Sequence, residues 1–363
     1  MKRAAILTTL VLASQLVLPA CGMSNEASEP EAPASETRSP DGLATAEQCY
    51  VVSDVDNSSG DDVLFVVDKN DKNPATNLQK VGSLGANDVE AIAFNPATKV
   101  LYAADADQLG TIDLATGAFR PLDKTFGQGP GSDESLTFKD VDGLAFDPTT
   151  GKLYGSVRRE GDLNKADLLI VIDPVTGAHI ANAFGPGVDY VVISPVEGNL
   201  DIDDLAIDGN GQMFAIANTG GKDDHLITID KNTGAASDLG ATVINDVEGL
   251  SFDPAGQLWG SAGKNKTLYR LDTSSGAASN AVPLSQDDFS DFEALDCMTI
   301  TIEETCQSHP ELAACEETSP GGVEYSVVGG GCSASLDSSA GSGLALLFAL
   351  VALGLGRRRR GIA

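Results

Sequence analysis

The chain has 363 residues and carries 23 Lys and Arg against 53 Asp and Glu, a formal charge of −30. A field of that sign repels nucleic-acid phosphates and anionic membrane surfaces, which excludes nucleic acid as a partner, and it draws cations in. Setting aside two non-globular ends leaves about 255 residues, enough for one sizeable all-β domain with its own core.

Residues 1–20 open with Lys2 and Arg3, continue through an apolar run from Ala4 to Leu18 and end in small residues before Cys21. That is the three-part build of a secretory signal peptide, too short for an ordinary membrane span. The segment Leu18-Pro19-Ala20-Cys21 resembles the lipobox of bacterial lipoproteins. The resemblance implies export and a lipidated Cys21 at the start of the mature chain. Residues 21–47 are acidic and rich in Pro and Ser, the composition of a disordered, solvated linker.

Residues 48–302 are organised by an internal repeat. Its first element recurs as Asp88-Val-Glu-Ala-Ile-Ala-Phe-Asn-Pro96, Asp140-Val-Asp-Gly-Leu-Ala-Phe-Asp-Pro148, Asp201-Ile-Asp-Asp-Leu-Ala-Ile-Asp208 and Asp246-Val-Glu-Gly-Leu-Ser-Phe-Asp-Pro254. A fifth copy, Asp291-Phe-Glu-Ala-Leu-Asp296, begins and stops. The second element reads Ile112-Asp-Leu-Ala-Thr-Gly117, Ile172-Asp-Pro-Val-Thr-Gly177, Ile229-Asp-Lys-Asn-Thr-Gly234 and Leu271-Asp-Thr-Ser-Ser-Gly276. Each unit predicts four short antiparallel strands, A to D. The Asp of the second element bonds the turn backbone and its Gly supplies a left-handed residue. Such units stacked radially make a β-propeller. The pattern resembles the NHL- and YVTN-type repeats of bacterial surface propeller proteins, a resemblance that speaks to fold and hardly to function.

The ends set the blade count. The fifth strand A, Phe292 to Ile302, lacks followers, whereas Tyr50–Val52, Val63–Asp68 and Leu78–Val81 read as strands B, C and D without an A. Joined, they predict a five-bladed propeller closed by pairing of N- and C-terminal strands. Of the six cysteines, Cys49 and Cys297 fall where such pairing brings them together, so a disulfide is expected there. Cys306 and Cys315 are expected to form a second one in a stalk covering 303–331.

The tail, 332–363, runs from Cys332 through a small-residue spacer to the apolar stretch Leu344–Leu355 and the run Arg357-Arg358-Arg359-Arg360. It reads as a short C-terminal transmembrane helix with a cytoplasmic stop signal. Its order resembles the MYXO-CTERM sorting tail of myxobacterial surface proteins, which implies processing near Cys332. A plain single-span anchor is the other reading. In both, the protein is exported and held at the cell envelope or outer surface, as a monomer.

In a propeller, strand A lines the channel, so a residue repeated at its start forms a ring. The ring expected here is Glu90, Asp142, Asp203, Glu248 and Glu293, with Asp88, Asp140, Asp201, Asp246 and Asp291 just outside. Converging carboxylates repel, and either protons or a cation must relieve them. An all-oxygen cage suits calcium, the expected cofactor; the alternative is that these acids only cap turns and solvate the mouth. A second calcium-like loop, Asp54-Val-Asp-Asn-Ser-Ser-Gly-Asp61, has its glycine one place late. Catalytic motifs are absent, and there are only three His residues. Arg158, Arg159, Lys222, Asp224 and His225 are candidates for ligand binding on the loop face that carries the ring. The first reading is a surface binding module rather than an enzyme, with an unknown ligand or protein as partner. The alternatives are a calcium-dependent hydrolase of phosphoesters or lactones, as in some metal-dependent propeller hydrolases, and a structural envelope component.

Overall fold

The computed structural model describes residues 37–38, 44–54, 60–131, 134–159, 165–196, 201–218, 222–284, 291–301, 325–328 and 331–334. The expectations for residues 1–36, for Cys306 and Cys315 and for the apolar segment Leu344–Leu355 lie outside them. Cys332 is described only as backbone, in a hairpin of Tyr325–Val328 with Gly331–Ala334. Among the described residues no helix is long and apolar enough to cross a membrane.

The fold is all-β and five-bladed. Blade 1 runs Val89–Asn95, Val100–Asp105, Gln108–Ile112 and Phe119–Thr125. Blade 2 runs Val141–Phe146, Leu153–Val157, Leu168–Ile172 and Tyr190–Val192. Blade 3 comprises Asp201–Ile207, Met213–Asn218, His225–Ile229 and Ala236–Ala241. Blade 4 comprises Val247–Phe252, Leu258–Ala262, Thr267–Leu271 and Ala278–Pro283. Blade 5 takes its inner strand, Phe292–Thr301, from one end of the sequence and Ala44–Ser53, Val63–Val67 and Leu78–Ser83 from the other. Phe292–Thr301 pairs antiparallel with Ala44–Ser53, with Val51 opposite Leu295 and Cys49 opposite Cys297. The two cysteines are disulfide-bonded across a sequence separation of 248. The inner strands of blades 1 to 5 touch in order, and that of blade 5 touches that of blade 1.

The turns between strands C and D follow the chemistry of their sequences. Asp113, Asp173, Asp230 and Asp272 each accept a backbone N–H two residues on, at 2.8–3.0 Å. Gly117, Gly177, Gly234 and Gly276 have φ between 73° and 86°, where a Cβ would be strained. Blade 2 departs from the expected short path. After the turn, only His179 bridges back to Ile172, and turns through Asn182, Gly185 and Gly187 precede its fourth strand.

The core consists of five apolar layers, one between each pair of neighbouring blades. Two-sided burial explains why the middle strands are unbroken apolar runs, such as Leu168–Ile172 and Val63–Val67. The B-strand aromatics sit in these layers: Tyr102 packs on Phe146 of the next blade at 5.4 Å, and Trp259 lies between blades 4 and 5. Two junctions carry an ion pair as well. Lys231 reaches buried Asp147 at 2.6 Å, and Lys69 reaches buried Asp253 at 3.0 Å and Glu47 at 2.8 Å. Burial alone would raise the Asp147 carboxyl, but Lys231 and Thr149 outweigh it and hold the group well below the usual range. These locks occur where a Lys follows the C-strand Asp, as in Asp68-Lys69 and Asp230-Lys231.

One loop conflicts with its own backbone. The segment Leu84-Gly85-Ala86-Asn87-Asp88 aligns with Thr242-Val243-Ile244-Asn245-Asp246, and both turn through a left-handed residue. Gly85 does so at φ 71°; Val243, β-branched and 71% exposed, does so at φ 66°. Val243→Gly should relieve about 1–2 kcal/mol of left-handed strain against about 0.5–1 kcal/mol of added unfolded-state entropy. The expected net gain is about 0.5–1 kcal/mol in a urea melt, and a loss would show that the valine side chain contributes packing there.

Candidate cation site at the channel mouth

The acidic ring is positioned by a defect repeated in every blade. In blade 1, Val89 pairs with Asp105 and Ala91 with Ala104, so Glu90 has no partner across the sheet. The same register shift isolates Asp142, Asp203, Glu248 and Glu293 in the other four blades. Each ring acid is therefore the extra residue of a β-bulge, which bends the strand and re-aims the side chain. The residue after each bulge is small or compact because neighbouring inner strands nearly touch. A Cβ on Gly143 would lie 2.9 Å from Asp204 Cα, and one on Gly249 would lie 2.5 Å from Leu295 N.

Two bases enter this ring from the loops between strands B and C. Arg158 of blade 2 places Nε 2.9 Å from Asp142 and 3.0 Å from Asp201, with Nη2 3.8 Å from Asp203. Lys264 of blade 4 places Nζ 2.6 Å from Asp246 and 3.6 Å from Asp291. The corresponding turn of blade 1 carries Asp105 and Asp107 instead of a base. There, Glu90, Asp140 and Asp142 each bring one carboxylate oxygen within 4.8 Å of the others.

Proton affinity follows this distribution. Burial, and then the neighbouring Glu90, push the Asp142 carboxyl well up despite Arg158. Asp203 is raised by burial and then by Glu248. Glu248 is pushed up to about 8 by burial and by Asp246 and Asp291. Glu293 is pushed up to about 9 by burial, with Glu248 and Glu90 adding repulsion. Asp142 is 2% exposed and Asp203 3%; Asp142 Oδ2 faces the Arg158 guanidinium, while Asp142 Oδ1 and Asp203 Oδ2 meet no hydrogen-bond donor. Asp246 goes the other way: burial raises it, but Lys264 lowers it further.

The other expected residues divide. Arg158 belongs to the ring itself. Lys222 is exposed, and His225 sits on a C strand with Nδ1 2.9 Å from Asp238. Arg159 is half-buried, its Nε without a hydrogen-bond acceptor. Asp224 is buried, and its Oδ2 accepts the Val247 N–H at 2.9 Å. Among the described residues it has two equivalents: Asp62 accepts from Val89 at 2.9 Å and Asp167 from Ile202 at 2.8 Å, each joining the start of a C strand to the next blade. Burial raises both of those carboxyls to about 7. These latches were not foreseen, although an Asp just before an apolar C strand, as in Asp62-Val63 and Asp167-Leu168, was there to be read. Of the second calcium-like loop, residues 55–59 lie outside the described residues, and Asp54 adds repulsion at Glu293.

No family model and no curated protein matches the sequence. Solved structures that resemble it include the nidogen/laminin complex, with TM-score 0.44 and 11% identity over 69% of this chain and 98% of that one. A putative 6-phosphogluconolactonase from Bacteroides fragilis aligns with TM-score 0.38 and 9% identity over 69% and 98%. TolB from Acinetobacter baumannii aligns with TM-score 0.40 and 13% identity over 69% and 66%. Likenesses this remote bring no ligand or activity to this chain.

Proposed function

We propose that the protein is a calcium-dependent binding module carried on a bacterial cell surface, with its propeller closed into a ring by strands from both ends of the sequence. What carries the reading is the ring of five bulged carboxylates, two of them buried and each keeping one oxygen, Asp142 Oδ1 and Asp203 Oδ2, that no donor meets. The donor set fits calcium, being all oxygen and clustered at Glu90, Asp140 and Asp142. The ion would supply the positive charge that Arg158 and Lys264 supply elsewhere in the ring. Asp142 would then be shared between metal and guanidinium. Bound calcium would rigidify the mouth and present open coordination positions to an anionic group of a partner.

The test is calcium titration of protein stripped with chelator, read by metal analysis and by melting temperature at pH 8. Binding near one ion per chain is expected, with a stabilisation of about 2.7 kcal/mol once calcium reaches a hundredfold its Kd. Glu90→Gln with Asp142→Asn should remove it. A stripped protein whose melting ignores calcium would refute the site. Turnover of phosphoesters or lactones that both substitutions abolish would turn the module into a hydrolase.

The surface address rests on the signal peptide, Cys21 and the C-terminal tail. Metabolic labelling with palmitate should mark the wild type and not Cys21→Ser. Equal labelling of both would place the anchor at the tail alone.

A further inference from the structure

The channel has a second end whose chemistry differs from the first. Four residues beyond each ring acid, about 13 Å along the strand, the inner strands open into a cavity of about 370 Å³. Its wall includes Phe94, Phe146, Ile207, Phe252 and Cys297, one from each of the five blades, with Met298 beside them. One step inward, the repeat reads Ala93, Ala145, Ala206, Ser251 and Asp296. Three blades supply a methyl group, one a hydroxyl, and the fifth a carboxylate.

That carboxylate is held in place by donors alone. Asp296 Oδ1 accepts from Ser251 Oγ at 2.6 Å and from its neighbour Cys297 N–H at 2.8 Å, while Oδ2 accepts from Phe94 N–H. Oδ2 keeps a lone pair. Burial raises the group to about 6, opposed by those three donors, so it is ionised at neutral pH. Among the described residues no Lys or Arg pairs with it. Lys99 lies over the Phe94 ring at 5.7 Å, and Asp253 in the same wall is bound to Lys69. The nearby Asp204 is pushed well up by burial, and its two oxygens accept the Leu205 and Leu250 N–H groups.

A carboxylate without an ion-pair partner in a cup of this size, whose wall is mainly apolar with Lys99 and Asp253 also contributing to it, selects a ligand that brings one positive charge and an apolar body. We infer that the cup binds a primary ammonium ion with a compact apolar body, its N–H donated to Asp296 Oδ2 and its body packed against Phe94, Phe146 and Phe252. The ring faces add cation–π attraction to the ammonium. This site is independent of calcium at the other end.

The test uses full-length purified protein in 150 mM salt (roughly physiological screening) with butyl-, benzyl- and phenethylammonium, each beside the alcohol of the same skeleton. Titration calorimetry should show at least one amine binding about tenfold or more tighter than its alcohol. Asp296→Asn should erase that preference, and Ala145→Leu, which fills the cup and leaves the carboxylate in place, should abolish binding of both. Saturating calcium should leave amine affinity within about twofold. The proposal falls if no amine binds better than its alcohol, if the preference survives Asp296→Asn or binding survives Ala145→Leu, or if calcium displaces the amine.

Discussion

Replacing both Cys49 and Cys297 by alanine is expected to lower stability by about 3–5 kcal/mol, a drop in melting temperature on the order of 10 °C. The bond closes almost the whole propeller into one loop, with a sequence separation of 248, so its loss frees much of the unfolded chain. Both side chains are buried in the layer between blades 4 and 5, and alanine leaves no unsatisfied polar group there. The cross-strand pairing from Thr45–Thr301 to Ser53–Phe292 remains to hold blade 5. The double variant should therefore fold but open first at this seam, with faster amide exchange at Val51 and Leu295 than at Ile170 in blade 2. A urea melt that moves by less than about 1 kcal/mol would show that the strands hold the ring without the bond. Substitution is preferable to a reducing agent, which would also act on any bond between Cys306 and Cys315.

Stability of the metal-free protein is expected to fall as pH rises from about 4 to about 9. Glu248 at about 8, Glu293 at about 9 and Asp62 and Asp167 at about 7 all bind protons more tightly folded than unfolded. Raised carboxyls contribute stability that is complete below their unfolded values near 4 and is lost as pH rises through the folded values. Each excess proton held by the folded state sets a slope of about 1.4 kcal/mol per pH unit, so two such groups give about 2–3 kcal/mol per pH unit between pH 7 and 8. Asp147 and the turn residues Asp173 and Asp230 are depressed, so they lose their contribution only as pH falls below the ordinary carboxylate range. Maximum stability is therefore expected near pH 4. Glu293→Gln should flatten the decline, since its amide has no proton to lose. Thermal melts in chelator at half-unit pH steps measure this directly. A profile that is level from pH 6 to 9 would mean that the mouth is more hydrated than its geometry indicates. Calcium added at pH 8.5 should restore most of the loss and do little at pH 5, where protons already cap the oxygens.

Blade number, strand order and the pairing of Cys49 with Cys297 could be read in the sequence, and so could which acids stand at the start of each inner strand. The turn residues Asp113 and Gly117 and their repeats could be read too, because a turn is decided by contacts two to four residues apart. The bulges at Glu90, Asp142, Asp203, Glu248 and Glu293 could not, since an alternating pattern does not show which residue the partner strand skips. The sequence pattern puts Arg158 and Asp224 on a ligand-facing loop, yet Arg158 lies against Asp142 and Asp201, and Asp224 latches Val247.

What the sequence determined by itself is local and periodic: apolar strands, their turns and a fivefold repeat whose spacing admits one architecture. What only the tertiary structure decided is which charges meet. Arg158 finds Asp201 on another blade, and Asp296 meets Phe94 and Ser251 from its two neighbours. The reason is physical. Backbone hydrogen bonding and turn strain act over a few residues, whereas Coulomb forces and desolvation depend on distance and burial, which exist only once the blades have packed against one another.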